Sequence, residues 1–404
     1  MRQRRRTEKT MSREQLIKMT EHNIAHSKAG TIDMEPDVFK VPATKYYAQD
    51  QYEAEVEKIF KRVPLLLATT AELRNPGDYK AMEAVGVPVL INRDSKGKIH
   101  AFMNMCSHRG AALVELGCDN AKRFVCPYHA WTYNQNGDLI GISSKEDFGE
   151  IDKSEYGLVP LPVIERAGLI WVCLRPNSDI DFDAFLSGYD DLLANFGFET
   201  WHMHDQRTLR GPNWKVAYDG YLDLYHLPVL HSKTFGTEIS NQALYYSWGP
   251  HQRVSSPSPF MIGLEDMPKD EWDTNLMMMG VWTVFPHVSI ASFEGGGRSV
   301  MLSQLFPGKT PGESYTVQNY MMEHKPTPEQ EVEADKQFTL LEYVVEKEDY
   351  ATGLRLQKAL ETGHKDHVLF GRNEGGGQKF HSWVDRIIET ADEDLNKLFA
   401  GSNQ

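Results

Sequence analysis

Two short segments of the sequence each carry one cysteine and one histidine at a spacing that suits metal binding. In the first arm Cys106 precedes His108, and in the second Cys126 precedes His129. A zinc site normally groups like ligands, as Cys-x2–4-Cys and His-x3–5-His. A Rieske [2Fe–2S] centre instead needs two thiolates on one iron and two imidazoles on the other, which one residue of each kind per arm supplies. The four residues are therefore predicted to hold such a cluster.

A second ligand set lies near the middle of the chain. Asp223 and His226 are three residues apart and are predicted to share one face of a helix. Pro228 disfavours helical geometry at the residue before it, so the helix should end there and let His231 approach from another direction. Two imidazoles and one carboxylate form the facial triad of non-heme Fe(II) oxygenases, which keeps positions open for O2 and substrate. Asp223 is either a ligand or, in the preferred interpretation, an acceptor that orients the imidazole of His226.

The carboxylate that completes this triad must come from a distant part of the chain. The acidic cluster at residues 346–349 is the candidate region, and Asp349 is the predicted Fe(II) ligand. Glu346 and Glu348 remain alternatives, because a run of charges on a helix is more often a solvated face than a ligand site.

The elements that must position these residues change in character along the chain. Between about 63 and 175, short apolar runs are split by turn residues, which predicts hairpins near 88–103, 131–139 and 158–174. Beyond 176 helical and strand-like stretches alternate, and Thr327 with Pro328 and Gln330 predicts a helix start. We predict an N-terminal helical segment over 1–39 that packs with the catalytic domain, an all-β domain over 40–175 and an α+β domain over 176–404.

Length and composition limit the class of protein. A chain of 404 residues is expected to form two domains, and no apolar run approaches the length of a membrane span. The net charge of −14 argues against a nucleic-acid surface and suits a basic redox partner. Paired arginines near the N-terminus are not followed by an apolar region, which favours a cytoplasmic protein. Residues 1–10 precede a second methionine and are interpreted as a disordered extension or a start-site artefact.

Cysteine usage does not indicate disulfides. Four cysteines are too few and too clustered for a disulfide framework in a chain of this length. Cys118 and Cys173 have no histidine neighbours and are predicted to be small buried hydrophobes.

Taken together, these motifs resemble the large-subunit family of Rieske ring-hydroxylating oxygenases. The resemblance rests on the two Cys-His arms and on Asn213-Trp214-Lys215 followed by an acid, one residue, and Tyr-His-x4-His. It implies a Rieske β domain, a helix-grip (START-like) catalytic domain, and a trimer, either of this chain alone or with a small β subunit. Carried over to this sequence, it implies a cluster on the four Cys and His residues, Fe(II) on the two central histidines and Asp349, and Asp223 as an electron-transfer bridge between subunits.

One position departs from the family pattern. Many relatives have Glu-Asn where this chain has Asp219 followed by Gly220, and relatives with Asn place it near the iron. Glycine cannot supply that side chain, so the space or the hydrogen bonding around the open coordination position is expected to differ.

The resemblance also implies a reaction class. Electrons would come from NAD(P)H through a separate reductase or ferredoxin, because this chain has no dinucleotide or flavin fingerprint. Hydroxylation or cis-dihydroxylation of an aromatic substrate is the leading expectation, with residues 276–285 as a wall of the pocket. The alternatives are oxidative O- or N-demethylation, hydroxylation of an aliphatic or quaternary-ammonium compound, and a non-enzymatic Rieske electron carrier.

Overall fold

Residues 40–59 pair and pack with the C-terminal half of the chain rather than with the strands that follow them. The computed structural model describes residues 2–401, with side chains from residue 11, and its chain divides into two units. The small unit comprises residues 60–182 and 198–200, and the large unit comprises residues 1–59, 183–197 and 201–404. The predicted boundaries at 39 and 175 therefore differ from this division, because strand β1 (Phe39–Pro42) pairs with a strand at 367–370.

The N-terminal part of the large unit is mainly helical. Helix α1 (Arg2–Ala29) lies within the helical segment predicted over 1–39, and it is followed by a 3-10 turn at Ala43–Tyr46, helix α2 (Gln49–Glu55) and a π-helical turn at Val56–Phe60. Met1 and the side chains of residues 2–10, which belong to the predicted N-terminal extension, lie outside the described part of the chain. No helix in the described part is both long enough and apolar enough to cross a membrane.

The small unit is built from ten short antiparallel strands, as the predicted hairpins require. The strands form two three-stranded sheets and one four-stranded sheet, and the hairpins β4–β5, β8–β9 and β10–β11 occupy the three predicted regions. Apart from the short helix α3 (Lys145–Phe148) and a 3-10 turn at Lys153–Tyr156, the elements are β2 (Leu65–Thr69), β3 (Asp78–Ala84), β4 (Val87–Arg93), β5 (Ile99–Met103), β6 (Gly117–Asn120), β7 (Phe124–Val125), β8 (Thr132–Tyr133), β9 (Leu139–Gly141), β10 (Val163–Arg166) and β11 (Leu169–Val172).

The large unit is an α+β arrangement around one antiparallel sheet of seven strands. Its helices are α4 (Phe182–Leu186), α5 (Tyr189–Leu193), α6 (Trp214–Leu222), α7 (Leu227–Leu230), α8 (Thr274–Met277), α9 (Pro328–Tyr343), α10 (Ala351–Leu360), α11 (Gly375–Glu389) and α12 (Leu395–Ala400). Its strands are β12 (His202–Gly211), β13 (Leu244–Trp248), β14 (His251–Ser255), β15 (Val281–Val284), β16 (Val288–Phe293), β17 (Ser299–Pro307), β18 (Ser314–Met322) and, paired with β1, β19 (His367–Phe370).

The sheet has the order β12-β18-β17-β16-β15-β14-β13, and helix α6 packs across its centre. Strand β17 is buried along its whole length, as expected for a central strand covered on both faces. Helix α9 begins at the predicted place, because Thr327 and Gln330 form a reciprocal capping box. The predicted fold class, an all-β domain plus an α+β domain, is confirmed.

A buried ion pair ties helix α2 to helix α6 inside the large unit. Glu55 bonds both the Lys215 ammonium and the indole N–H of Trp214, the latter at 2.7 Å. The side chains of Glu55 and Lys215 are 1% and 0% exposed. Burial lowers the pKa of Lys215, and the negative charge of Glu55 opposes that effect. The pair is therefore a point where loss of one partner leaves the other charge without compensation.

Replacing Glu55 by glutamine should destabilise the large unit by about 3–5 kcal/mol, because Lys215 would remain buried without an anion. Urea unfolding and scanning calorimetry would measure this loss. The double variant Glu55→Gln/Lys215→Met should recover much of it, whereas Glu333→Gln, which breaks an exposed pair with Lys336, should change stability by less than about 1 kcal/mol. An unaltered unfolding transition in Glu55→Gln would contradict this account.

Candidate functional site

The two Cys-His arms of the small unit are built on loops with the same backbone design. In each loop the carbonyl of the cysteine accepts a hydrogen bond from the N–H four residues later, at 2.8 Å from Gly110 to Cys106 and 2.9 Å from Ala130 to Cys126. Gly110 and Ala130 both adopt positive φ, 82° and 55°. Each cysteine N–H donates in turn to the carbonyl five residues later, at 2.8 Å. These bonds make two matching turns, in which the cysteine occupies the same position and the histidine follows it by two residues in the first turn and by three in the second.

The side chains of these loops converge as a cluster would require. Cys106 and Cys126 are each 2% exposed, and the ring centroids of His108 and His129 lie 4.6 Å apart. The Nδ1 atoms of both rings are buried without a hydrogen-bond partner. Buried polar atoms are rarely left in that state, and coordination by Nδ1 would resolve it. The donor set fits a Rieske cluster, with two thiolates and two imidazoles available.

Tyr133 contributes to this site and was not singled out in the sequence. Its hydroxyl accepts the N–H of Ser107 at 3.0 Å and lies 3.3 Å from the Sγ of Cys106, so its proton is free to point at the sulfur. Burial raises the pKa of the Cys106 thiol, and the hydroxyl of Tyr133 opposes that rise. A hydrogen bond to a ligand sulfur is one of the ways in which a protein adjusts a cluster's reduction potential. In the sequence Tyr133 is only an aromatic residue at the end of strand β8, and nothing there indicates a contact with Cys106.

The second ligand set converges in the large unit. One ligand atom from each of His226, His231 and Asp349 lies within 4.8 Å of the others. Asp349 Oδ1 is 3.6 Å from the Nε2 of His226 and 3.2 Å from the Nε2 of His231. The three residues predicted from the sequence are therefore brought together, with two imidazole nitrogens and one carboxylate oxygen facing a common point. This donor set fits a facial Fe(II) site.

The backbone reaches this arrangement differently from the prediction. Helix α6 ends at Leu222, and Asp223 has extended backbone angles, so Asp223 and His226 do not share a helix face. Pro228 does not end a helix but lies in the first turn of α7, where its missing N–H costs nothing. His231 then follows the last residue of α7. Asp223 and His226 are nevertheless close together, as predicted, because a tight turn takes the place of the helical turn.

Both metal-facing imidazoles are oriented by a carboxylate. Asp223 Oδ2 accepts from the Nδ1 of His226 at 3.0 Å, and Glu348 Oε2 accepts from the Nδ1 of His231 at 2.7 Å. Thr234 donates to the other oxygen of Glu348 at 2.7 Å. Such bonds fix the tautomer that leaves the Nε2 lone pair for a metal.

The three acids of the cluster at 346–349 have different partners and different roles. Glu348 and Asp349 lie in a π-helical turn, Val344–Tyr350, between α9 and α10, and such turns occur often at functional sites. Asp349 faces the two Nε2 atoms, Glu348 holds His231, and Glu346 pairs with Lys347 while 44% exposed. The structure thus separates the predicted ligand from its two alternatives.

The charge balance of this site favours a cation. Burial alone would lower the pKa of His231, but the carboxylates of Asp349 and Glu348 outweigh it and raise that pKa. A raised histidine pKa means that the surrounding carboxylates stabilise positive charge at the imidazole. A divalent metal ion would supply such a charge at the same place.

A cavity of about 290 Å³ opens beside the triad in the large unit. Its apolar part includes Val216, Leu230 and Leu356, and its polar part includes the carboxylates of Asp219, Asp223, Asp349 and Glu374, with the rings of Tyr46, Tyr350 and Phe370. No Lys or Arg is found among the described residues that line it. The cavity is therefore apolar, aromatic and acidic together.

Two expectations about the cavity have different outcomes. Gly220 lines it, and a Cβ at that position would meet nothing within 4 Å, so glycine adds space beside the triad. The predicted wall at 276–285 is wrong for this cavity, because Met277 and Met278 are buried in the core and none of that segment is part of the lining. The segment instead carries a short helix and strand β15, and its carbonyls at Met277 and Met279 accept from buried Arg253.

Replacing Glu348 by glutamine should weaken binding of the non-cluster iron by about 10–100-fold, because the amide does not hold His231 as strongly as the carboxylate. Iron analysis after equilibration with a graded chelator would measure this. Glu346→Gln changes the same residue type two positions earlier on an exposed side chain and should leave iron affinity unaltered. Equal iron retention in the two variants would refute the role of Glu348.

Replacing Asp223 by asparagine should lower turnover by about 10–100-fold while the absorption and EPR spectra of the cluster stay intact. The reason is that the amide can donate an N–H to the Nδ1 of His226, so the tautomer and the orientation of the His226 ring are no longer fixed. Steady-state oxygen consumption and product formation would measure the loss. Normal turnover in this variant would show that Asp223 is not required.

Two family models match the chain. The model described as "Ring hydroxylating alpha subunit (catalytic domain)" matches residues 198–390, and the model described as "Rieske [2Fe-2S] domain" matches residues 64–154. Both Cys-His arms lie within the second range, and His226, His231 and Asp349 lie within the first. Each ligand set therefore falls inside the model whose cofactor it fits.

Curated relatives and solved structures agree with the family models. The chain is 29% identical over 226 residues to the anthranilate 1,2-dioxygenase large subunit of Acinetobacter baylyi, covering 53% of this chain and 48% of that protein. It is 27% identical to the carnitine monooxygenase oxygenase subunit of Escherichia coli K12, covering 87% of this chain and 95% of that one. The first match thus spans about half of the relative's length.

A solved structure shares the fold over most of the chain. A quaternary ammonium Rieske monooxygenase in complex with L-carnitine superposes with a TM-score of 0.73 at 21% identity, covering 88% of this chain and 97% of that one. The two family matches, the relatives and this shared fold lead to one conclusion. The chain belongs to the Rieske non-heme iron oxygenases, as a large (alpha) subunit with a Rieske [2Fe–2S] domain and a catalytic domain that binds mononuclear iron.

Proposed function

We propose that this protein is the oxygenase component of a Rieske monooxygenase that acts on a quaternary ammonium compound or a related organic cation. The observation that carries the proposal is the cavity beside the triad, which combines carboxylates with aromatic rings and has no Lys or Arg among its described lining residues. Aromatic faces and carboxylates are the groups that recognise alkylated ammonium ions in proteins. This favours the alternative expected from the sequence over aromatic dihydroxylation.

Asp219 is the cavity carboxylate best placed to meet a substrate cation. Its Oδ2 accepts from the hydroxyl of Tyr46 at 2.9 Å, and its Oδ1 accepts from the Nε2 of His381 at 3.0 Å. Both partners are buried, and Asp219 itself is 18% exposed. These bonds fix in place a carboxylate that belongs to the lining of the cavity. A preorganised anion of this kind binds a cation without a large cost of rearrangement.

Glu374 adds to the negative character of the cavity. Burial raises the pKa of Glu374, and the nearby carboxylates of Asp223 and Asp219 raise it further, against a lowering hydrogen bond from the N–H of Gly371. Repulsion among these groups is relieved when a cation enters the cavity. An anionic substrate would instead add to the repulsion, since no cationic side chain is found among the described lining residues.

The names of relatives support the same substrate class without deciding it. The carnitine monooxygenase match extends over 95% of that protein, whereas the anthranilate dioxygenase match extends over 48%. Oxygenation of an aromatic ring remains the second candidate, because that relative acts on an aromatic acid and because the cavity has an apolar part. A carrier without catalysis is not favoured, because His226, His231 and Asp349 provide a second iron site.

We propose the following roles for the residues of this chain. Cys106, His108, Cys126 and His129 hold the cluster, and His226, His231 and Asp349 hold Fe(II). When bound, these groups supply electrons and the activation of O2. Asp223 and Glu348 keep the imidazoles oriented, the apolar lining excludes water, and Asp219 positions the substrate cation.

Electrons reach this family's oxygenases from a reductase or ferredoxin partner, and this chain's net charge of −14 suits a partner with a basic surface. We further propose a cytoplasmic trimer in which Asp223 of one subunit communicates with the cluster of its neighbour. Sedimentation analysis of the holoenzyme, with and without reductase, tests both assemblies.

A matched pair of substrates tests the substrate class. Choline-like compounds with a trimethylammonium group should be oxidised, and analogues with a neutral tert-butyl group should show a kcat/KM at least about tenfold lower, because size is conserved and charge is lost. Product analysis with a surrogate reductase should find an aldehyde or an amine, with one atom of labelled O2 in the organic product. Efficient cis-diol formation from aromatic acids, with two labelled oxygens on adjacent carbons, would overturn the proposal.

The variant Asp219→Asn tests the role of this carboxylate in the same experiment. It should reduce the preference for trimethylammonium over tert-butyl substrates, while the iron content stays unaltered because Asp219 is not one of the three ligands. Asp366→Asn removes an exposed carboxylate outside the cavity lining and should leave the preference intact. An unchanged preference in Asp219→Asn would remove this residue from substrate recognition.

A further inference from the structure

A second group of metal-ligating side chains lies outside the catalytic site of the large unit. His22 and His26 are one turn apart on helix α1, and Asp33 follows that helix in the chain. One atom from each side chain lies within 4.8 Å of the others. The two Nε2 atoms are 3.0 Å apart, and the Oδ1 of Asp33 is 3.5 Å from the first and 3.4 Å from the second. The three ligand atoms therefore form a nearly equilateral triangle.

Hydrogen bonds determine which ring nitrogen of His22 is free. The hydroxyl of Tyr246 donates its single proton to the carbonyl of Met19 at 3.1 Å. It lies 3.0 Å from the Nδ1 of His22 and must accept there, so Nδ1 carries the proton. The Nε2 of His22 is then an unprotonated lone pair aimed at His26 and Asp33.

The ring of His26 can match this arrangement. Its Nδ1 lies 2.9 Å from the hydroxyl of Thr31, a group that can either donate or accept. When Thr31 accepts, Nδ1 carries the proton of His26, and two Nε2 lone pairs and a carboxylate oxygen face one another. That arrangement is repulsive unless a cation lies between them. When Thr31 donates, a single proton of His26 fills the gap instead.

We propose that His22, His26 and Asp33 form a binding site for a divalent transition-metal ion of the Zn²⁺ class. Zn²⁺ binds imidazole nitrogen and carboxylate oxygen at about 2.0–2.2 Å, which places adjacent tetrahedral ligands about 3.3–3.6 Å apart. The two edges to Asp33, 3.5 and 3.4 Å, lie in that range, and the edge between the two Nε2 atoms, 3.0 Å, is shorter and would lengthen slightly around an ion. The side chains of His22 and Asp33 are 40% and 36% exposed, so an ion can enter and water can complete the coordination.

Such an ion would join two parts of the large unit directly, and the hydrogen bond between His22 and Tyr246 connects them to a third. Asp33 belongs to the segment after helix α1, the two histidines belong to its last turns, and Tyr246 belongs to strand β13. Because the site requires the folded chain, a bound ion stabilises the folded state in proportion to its occupancy. The site takes no part in the proposed oxygenation, so its presence can be tested independently of activity.

The experiment compares the iron-loaded holoenzyme with the double variant His22→Ala/His26→Ala. Zn²⁺ is titrated by calorimetry, and Co²⁺ is titrated by visible absorption, where histidine and carboxylate ligation gives a d–d band. The wild-type protein should bind one more equivalent of Zn²⁺ than the double variant, with no loss of iron from either. Its thermal unfolding should shift upward with Zn²⁺, and that of the double variant should not.

Asp33→Asn tests whether the third ligand is part of the site. This variant should weaken Zn²⁺ binding by at least about tenfold, whereas Asp37→Asn, an exposed acid four residues away, should not. Identical Zn²⁺ stoichiometry in the wild-type protein and the double variant would overturn the site. Binding that ignores Asp33→Asn would overturn the proposed three-ligand arrangement, and correctly folded variants with wild-type iron content exclude misfolding as the cause.

Discussion

The mononuclear site depends on two hydrogen bonds between carboxylates and imidazoles. Asp223 holds the Nδ1 of His226, and Glu348 holds the Nδ1 of His231. Without these bonds either ring could present the wrong nitrogen or rotate away from Asp349. The turn after helix α6 and the π-helical turn at Val344–Tyr350 serve this constraint, since they place one acid behind each ring. The orientation of the two histidine ligands therefore depends on the positions of Asp223 and Glu348.

Much of the fold followed from local sequence signals. The hairpins of the small unit and the start of helix α9 were predictable, because turn residues and capping residues act within a few positions of one another. The boundary between the two units was not predictable in this way. Strand β1 pairs with β19 more than 300 residues later, and Glu55 pairs with Lys215 inside the core of the large unit. No local pattern near residue 40 records such distant partners.

The candidate site also has residues that the sequence predicts and residues that it does not. Residue types and spacing singled out the Cys-His arms, His226 and His231, since few sites other than metal centres combine these ligands at this spacing. Asp349 came from the resemblance, and the acidic cluster alone left Glu346 and Glu348 open. The structure separates them because a π-helical turn changes the directions of neighbouring side chains, which composition does not reveal. Tyr133 and the cavity lining were missed for a similar reason, since both depend on residues far apart in sequence.

The charges around the cavity bear on the substrate more directly than its shape does. Asp349 would be neutralised by the metal ion, and Asp223 is engaged by His226. Asp219 accepts hydrogen bonds from Tyr46 and His381, and Glu374 accepts one from the N–H of Gly371, but no Lys or Arg is found beside them among the described lining residues. In such surroundings a carboxylate substrate gains no partner and adds repulsion, whereas a trimethylammonium group gains both a counter-charge and aromatic faces. Gly220 leaves room for that bulky group beside the triad, which is why a departure from the usual asparagine is consistent with a change of substrate rather than a loss of function.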